Sequence, residues 1–291
     1  MYQSDVAPLR RVLMKRARDA FVSADRIRGQ WEALNYLGAP DFAAACDESD
    51  ALAELLGELD IVLEWMSADD VGMDSIYVRD ASIVSDRGAV LCRMGKGARS
   101  DEPAAQREEY QDLGVHVAGA IVAPGTLEGG DVTWLGPFTL AVGRGCRTNA
   151  DGIDQLMGLL SAEVEVIEVP LPHWKGPGDV FHLMSMLSPL DDDLLLVYSP
   201  LLPVPFRESL LERGFGLLEV PDEEFESMAC NVLAVGPRKV VAMEGNPLTR
   251  GRMEAAGVEV HTYSGAEISA KGCGGPTCLT RTLERAVDRA T

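Results

Sequence analysis

A chain of 291 residues, 46% hydrophobic and 25% charged, is long enough for one large domain or two medium ones. Its 46 acidic against 26 basic side chains leave a net charge of −20, which speaks against a nucleic-acid partner, because phosphate contacts rely on Lys and Arg. No run approaches the ~18 apolar residues of a membrane span, and the opening MYQSDVAPLRRVLMKRARD lacks an apolar signal core, so a cytoplasmic protein is expected.

From the N-terminus, Leu9–Lys15 (LRRVLMK) reads as a strand without a neighbouring partner. Residues 16–45 follow, a connection much longer than usual. They carry Phe21, Trp31, Tyr36 and Phe42 and a helical pattern around Ala24–Tyr36, and are read as an insertion or lid. A period then sets in. Apolar spacing predicts helices over Glu48–Leu59, Glu102–Leu113, Asn149–Ala162, Pro205–Gly214 and Pro247–Gly257. Each leads into a short β-rich run, from Asp60, Val115, Val164, Gly216 and Val258. A second strand follows, opened by a polar residue, in YVRDASIV, EGGDVTWL, GDVFHLMSML, ACNVLAV and GPTCLTRTL. Four of the five continue through a turn into a third strand.

One polar position per unit, Asp80, Asp131, His182, Asn231 and Cys278, recurs after 51, 51, 49 and 47 residues, which marks a five-fold repeat. The fifth unit ends without a third strand. Leu9–Lys15 can supply it, closing residues 1–291 into one ring and removing open sheet edges. In a closed ring the five polar positions converge near the axis.

Several residues there carry chemistry. Cys278 follows Gly272, Gly274, Gly275 and Pro276 in KGCGGPTCLTRTL, a loop whose glycines permit φ > 0 and close approach. Such a thiol is inert, as buried cysteines mostly are, or a nucleophile if a histidine and a carboxylate lie near it. His182, in FHLM, is either a core histidine or the imidazolium that lowers the thiol pKa and then acts as acid and base. His116, His173 and His261 sit in weaker contexts. Glu128 and Asp131 flank paired glycines in TLEGGDV. With Asp80 of YVRD they suit a planar guanidinium, which carboxylates bind bidentately, although an Asp ahead of a strand also caps turns. Arg147 and Arg99 fit a substrate carboxylate or a structural ion pair. The six scattered cysteines give no disulfide framework. Cys273 and Cys278 are poorly spaced for zinc, so no metal site is expected and Cys273 is read as structural.

Together YVRD, LEGGDV, FHLMS, RTN and GGPTCLT resemble the pentein guanidino-group-modifying enzymes over residues 8–283. These are the arginine deiminases, amidinotransferases and dimethylarginine dimethylaminohydrolases. The resemblance implies an α/β fold, a five-bladed propeller of ββαβ units. It implies Cys278 as nucleophile, His182 as acid and base, and Glu128 as the carboxylate that orients and protonates the guanidine. Asp80 matches the second guanidine-binding acid and Arg147 the arginine for the substrate carboxylate; Asp74 and Arg99 fall near substrate-contacting positions. The implied reaction passes through an S-alkylthiouronium and needs no cofactor.

Met184 stands where deiminases and amidinotransferases usually carry an aspartate, which is similar to the dimethylarginine hydrolases. Arg79 stands where those hydrolases more often carry an acid. The expected activity is hydrolysis of a methylated arginine to citrulline and an alkylamine. Amidino transfer, arginine deimination and a non-catalytic binding ring are the alternatives. The expected partner is a small guanidino compound, with homo-oligomerisation open.

Overall fold

Each unit of the period supplies an antiparallel strand pair, a helix, and a third strand parallel to the second. A computed structural model describes residues 3–67, 71–179 and 181–286 of the chain and contains five such three-stranded sheets. The first holds β1 (Leu9–Met14) and β2 (Val62–Trp65), which pair in parallel. The second holds β3 (Ser82–Ser85), β4 (Gly88–Leu91) and β5 (Val117–Ala120), and the third β6 (Val132–Gly136), β7 (Thr139–Arg144) and β8 (Glu165–Pro170). β9 (Leu187–Asp191), β10 (Leu194–Val197) and β11 (Gly216–Glu219) form the fourth, and β12 (Leu233–Gly236), β13 (Lys239–Met243) and β14 (Glu259–Tyr263) the fifth. The last strand, β15 (Arg281–Arg285), pairs antiparallel with β1. The first strand of the chain therefore completes the sheet begun by the last, and the ring closes as expected.

The middle strands are the most apolar, and β4 is buried along its whole length, as expected for a strand covered on both faces. Helices cover the outside. One is Ala150–Leu159, which buries Ile153 and Leu156 and is capped by Asn149, whose side-chain oxygen accepts from the Gly152 N–H.

Three boundaries differ from the sequence reading. The helix expected from Glu48 begins at Phe42, behind an Asp41 cap, because the buried stripe Ala45, Ser49, Leu52, Leu56 extends the helical spacing backwards. The helical pattern expected over Ala24–Tyr36 is a helix only over Ala24–Gln30, with a second short helix at Ala17–Phe21. The polar repeat positions do not open strands; each lies in or next to a turn or one-turn helix just ahead of one. No described helix is long and apolar enough to cross a membrane.

Candidate active site

The glycines before Cys278 serve close approach. A Cβ on Gly272 or Gly274 would collide with the Tyr77 ring, and one on Gly275 would lie 2.5 Å from Asn231 Oδ1. The left-handed residue of this loop is Cys273, at φ 58°, whereas these three glycines avoid that region. Tyr77 is fixed from behind: its hydroxyl donates to Ile268 O at 2.9 Å and its ring sits 6.4 Å from that of Tyr36. Asn231, the fourth repeat position, accepts from the Thr277 N–H at 3.2 Å and donates from Nδ2 to the Cys278 sulfur at 3.3 Å. The sulfur is thus aimed into a cleft of about 350 Å³, counting its mouth, shared with Asp80 and His182.

The thiol is not preactivated. Desolvation and the neighbouring Asp80 charge push Cys278 up to about 12, against the hydrogen bond from Asn231. The imidazole of His182 is itself held by carboxylates. His182 Nε2 lies 2.8 Å from Glu128 Oε2. Burial disfavours its charge, but Asp80, Asp131 and Glu128 outweigh it and raise its pKa to about 9. Glu128 responds in the opposite direction. Although burial opposes its ionisation, His182, Arg99 and Arg147 hold its carboxyl well below the usual range. The resting site therefore holds a neutral thiol and an imidazolium.

Asp80 supplies the acceptor. One oxygen, Oδ2, takes a 2.6 Å bond from Arg99 Nη1, while Oδ1 is buried and has no partner among the described residues. A Cβ on Gly130 would sit 2.5 Å from His182 Nδ1 and 2.8 Å from Asp80 Oδ1, so the first of the five units meets the third only because this residue is glycine.

Around this centre the cleft is lined with ion pairs. Arg99 grips Glu102 through Nε and Nη2 at 2.8 and 2.7 Å and also donates to the Tyr77 carbonyl at 3.0 Å. Lys96 Nζ bridges Asp74 Oδ2 at 2.6 Å and Leu34 O at 2.7 Å. Arg147 donates from Nη2 to Asp179 O at 3.1 Å, with Nη1 3.7 Å from Glu128 Oε1.

The structure thus brings Cys278, His182, Asp80, Asp74, Arg99 and Arg147 to one cleft. Three sequence expectations change. Asp131 does not reach the cleft: Oδ2 accepts from Thr148 Oγ1 at 2.6 Å and Oδ1 from the Leu183 N–H at 3.0 Å, so it fixes the turn that carries His182. Arg99 does not present a free fork to a substrate carboxylate, because its donors are taken by Glu102, Asp80 and Tyr77 O; it positions Asp80. Glu128 is fully buried behind His182, its Oε1 accepting from the Lys96 N–H at 2.8 Å, and is not among the cleft-lining residues. Conversely Cys273 does line the cleft.

Lys96, Glu102 and Tyr77 were not foreseen; MGKGARSDE offered only an unremarkable basic loop, and the one available signal was the collision-prone glycine run. Asp80, Glu128 and His182 put one ligand atom each within 4.8 Å of one another. Glu128 and His182 are already paired with each other, and a protonated His182 is a poor metal ligand.

The ring of five ββαβ units, with these side chains at its axis, defines a member of the pentein guanidino-group-modifying superfamily. The chain belongs to the arginine deiminase family, whose model matches residues 73–204 and 205–285. It is 34% identical over 251 residues to the N(G),N(G)-dimethylarginine dimethylaminohydrolase of Streptomyces coelicolor, covering 85% of this chain and 89% of that protein. The Pseudomonas aeruginosa enzyme of the same name is 29% identical over 254 residues, covering 84% and 91%. The arginine deiminase of Rhodococcus erythropolis is 29% identical over 194 residues, but only 55% of this chain and 46% of that protein take part. A solved structure of the P. aeruginosa enzyme, a Cys-to-Ser variant complexed with citrulline, matches with a TM-score of 0.75 at 25% identity over 94% of this chain and 98% of that one.

Proposed function

We propose that this protein is a cysteine-dependent hydrolase of guanidino compounds, acting on a methylated arginine to give citrulline and an alkylamine. One observation carries the reading: Asp80, whose buried Oδ1 has no partner among the described residues, lines a cleft that also holds a thiol and an imidazolium. A planar cation with several N–H donors satisfies that oxygen, and its charge offsets the carboxylate that keeps the thiol neutral. Relatives that carry a dimethylarginine hydrolase name over nearly their whole length support the same substrate class.

The proposed sequence balances as follows. Guanidinium binding draws the thiol proton into solvent, and the Cys278 thiolate attacks the guanidinium carbon, giving a neutral tetrahedral adduct. His182 donates its proton to the departing nitrogen, the C–N bond breaks, and a cationic S-alkylthiouronium forms. Neutral His182 then takes a proton from water as the oxygen bonds to carbon. As the C–S bond breaks, the hydroxyl proton of the adduct passes to the departing sulfur, which restores the neutral thiol and leaves the ureido product, while the proton released at the start goes to the amine. Glu128 holds the imidazole in register for both transfers, and Arg147 meets the substrate carboxylate.

Residues 16–45 belong to the same proposal as a cover over the cleft. Their support is the Lys96–Leu34 bond, the Leu37 N–H to Lys271 O bond at 2.7 Å, and the packing of Tyr36 on Tyr77. Arg79, which stands where the dimethylarginine hydrolases more often carry an acid, turns its guanidinium away to Val132 O at 3.1 Å. The test is to incubate the enzyme with arginine, with dimethylarginine and with either plus glycine, and to assay ureido product against new guanidine. Citrulline from dimethylarginine, without glycine dependence, is expected. Transfer to glycine, or no ureido product from any guanidine offered, overturns the reading.

A further inference from the structure

Arg79 opens on a different cavity from its neighbour Asp80. Asp80 faces the cleft, whereas Arg79 meets Arg281 and Arg285 in a hollow of about 450 Å³, counting its mouth, that shares no lining residue with the cleft. Each guanidinium is at least 96% buried, at 2, 4 and 4% exposure. Each is pinned through one terminal nitrogen to a backbone carbonyl: Arg79 to Val132 O, Arg281 to Ser82 O and Arg285 to Ala7 O. The Nε of all three is buried and has no partner among the described residues, and neither has Thr282 Oγ1, which lines the same hollow.

Charge does not balance there. Asp5 is the one buried carboxylate among the lining residues, 3.5 Å from Arg79 and already accepting from Thr133 Oγ1 and the Trp134 N–H. Glu284 also lines the hollow but is exposed at its rim. Among the described residues lining the hollow, three buried cations against one buried anion leave two positive charges. Burying charge without a partner is costly. Burial pushes Arg281 and Arg285 down to about 10, helped by repulsion from Arg79, and both still remain charged at neutral pH.

We propose that this hollow is a binding site for a small divalent oxyanion of the phosphate type, held by Arg79, Arg281 and Arg285 with Thr282. Two negative charges neutralise the excess, and tetrahedral oxygens match guanidinium and hydroxyl donors, which a single halide satisfies less well. The site is separate from the catalytic cleft but touches it through the backbone, since the Arg79 N–H donates to Cys278 O at 3.2 Å.

The test uses the full chain and inorganic phosphate. Equilibrium dialysis at fixed ionic strength is expected to give one phosphate per chain, and the thermal midpoint is expected to rise saturably with phosphate, not with chloride. Arg281→Gln and Arg285→Gln each weaken phosphate binding at least tenfold, while Arg147→Gln, in the cleft, leaves it within twofold. If the arginine variants do not fold, Thr282→Val is expected to weaken binding about threefold. No saturable phosphate binding to the wild-type chain, chloride binding as well as phosphate, or loss confined to Arg147→Gln overturns the assignment.

Discussion

Asp80→Asn separates the two jobs of one carboxylate. In the free protein the Asp80 charge helps push the Cys278 thiol up to about 12, so removing it lowers that pKa and makes the sulfur more reactive towards a neutral alkylating agent. In turnover the same charge is needed for the guanidinium. A charge-assisted hydrogen bond is worth about 1.5–3 kcal/mol, and one unit charge at ~4 Å contributes up to about 4 kcal/mol at an effective dielectric of 20. Because Asn still offers an oxygen to Oδ1's position, the expected loss is about 3–4 kcal/mol, two to three decades in kcat/KM. Steady-state kinetics on dimethylarginine and pseudo-first-order alkylation by iodoacetamide at one pH measure the two effects. Thermal melting checks that loss of the Arg99 pair has not unfolded the chain. Slower turnover with faster alkylation is expected. A kcat/KM within tenfold of wild type, or alkylation slowed in step with turnover, refutes the reasoning.

Four further outcomes follow from the same geometry. His182 is raised to about 9, so its imidazolium adds stability that is complete below its ordinary value near 6.5 and is lost as pH rises through about 9; both kcat and the melting midpoint are expected to fall across that window. Glu128→Gln should move the kcat limb to lower pH, as a pH–rate series would record. Gly274→Ala drives a methyl into the Tyr77 ring, with an overpacking cost of about 1–3 kcal/mol, and Tyr77→Leu in the same chain should recover part of the melting midpoint. Lys96→Met cuts the tie between Asp74 and Leu34, so limited proteolysis within residues 31–40 should speed up and KM should rise more than kcat falls.

What the sequence made legible was whatever repeats. Five turns spaced by about fifty residues carry Asp80, Asp131, His182, Asn231 and Cys278, and the incomplete last unit called for Leu9–Lys15, which β1 supplies beside β15. Spacing reports which side chains approach the axis but not which face of the wall they occupy. Asp131 and Asp80 hold equivalent places, yet Thr148 and the Leu183 N–H take both oxygens of one while Arg99 leaves an oxygen of the other free. The choice for Arg99 between a substrate carboxylate and a structural ion pair stays open in the sequence because Glu102, three residues on, looks like any helix-start acid until the chain folds it back. Lys96 was invisible for a related reason: its partner Leu34 lies 62 residues earlier and offers only a backbone carbonyl. The helix from Phe42 hid in an alanine-rich stretch whose buried stripe needs the ring beneath it to be recognised.

The claim at the centre is that Cys278 becomes covalently attached to the substrate carbon. Intact-protein mass spectrometry after acid quench during dimethylarginine turnover, with peptide mapping, tests it directly. The account predicts an adduct of the mass of dimethylarginine less dimethylamine on the peptide holding Cys278, formed within one turnover and lost in Cys278→Ser together with activity. Ureido product released by Cys278→Ser at the wild-type rate, with no adduct on the wild-type chain, would contradict it.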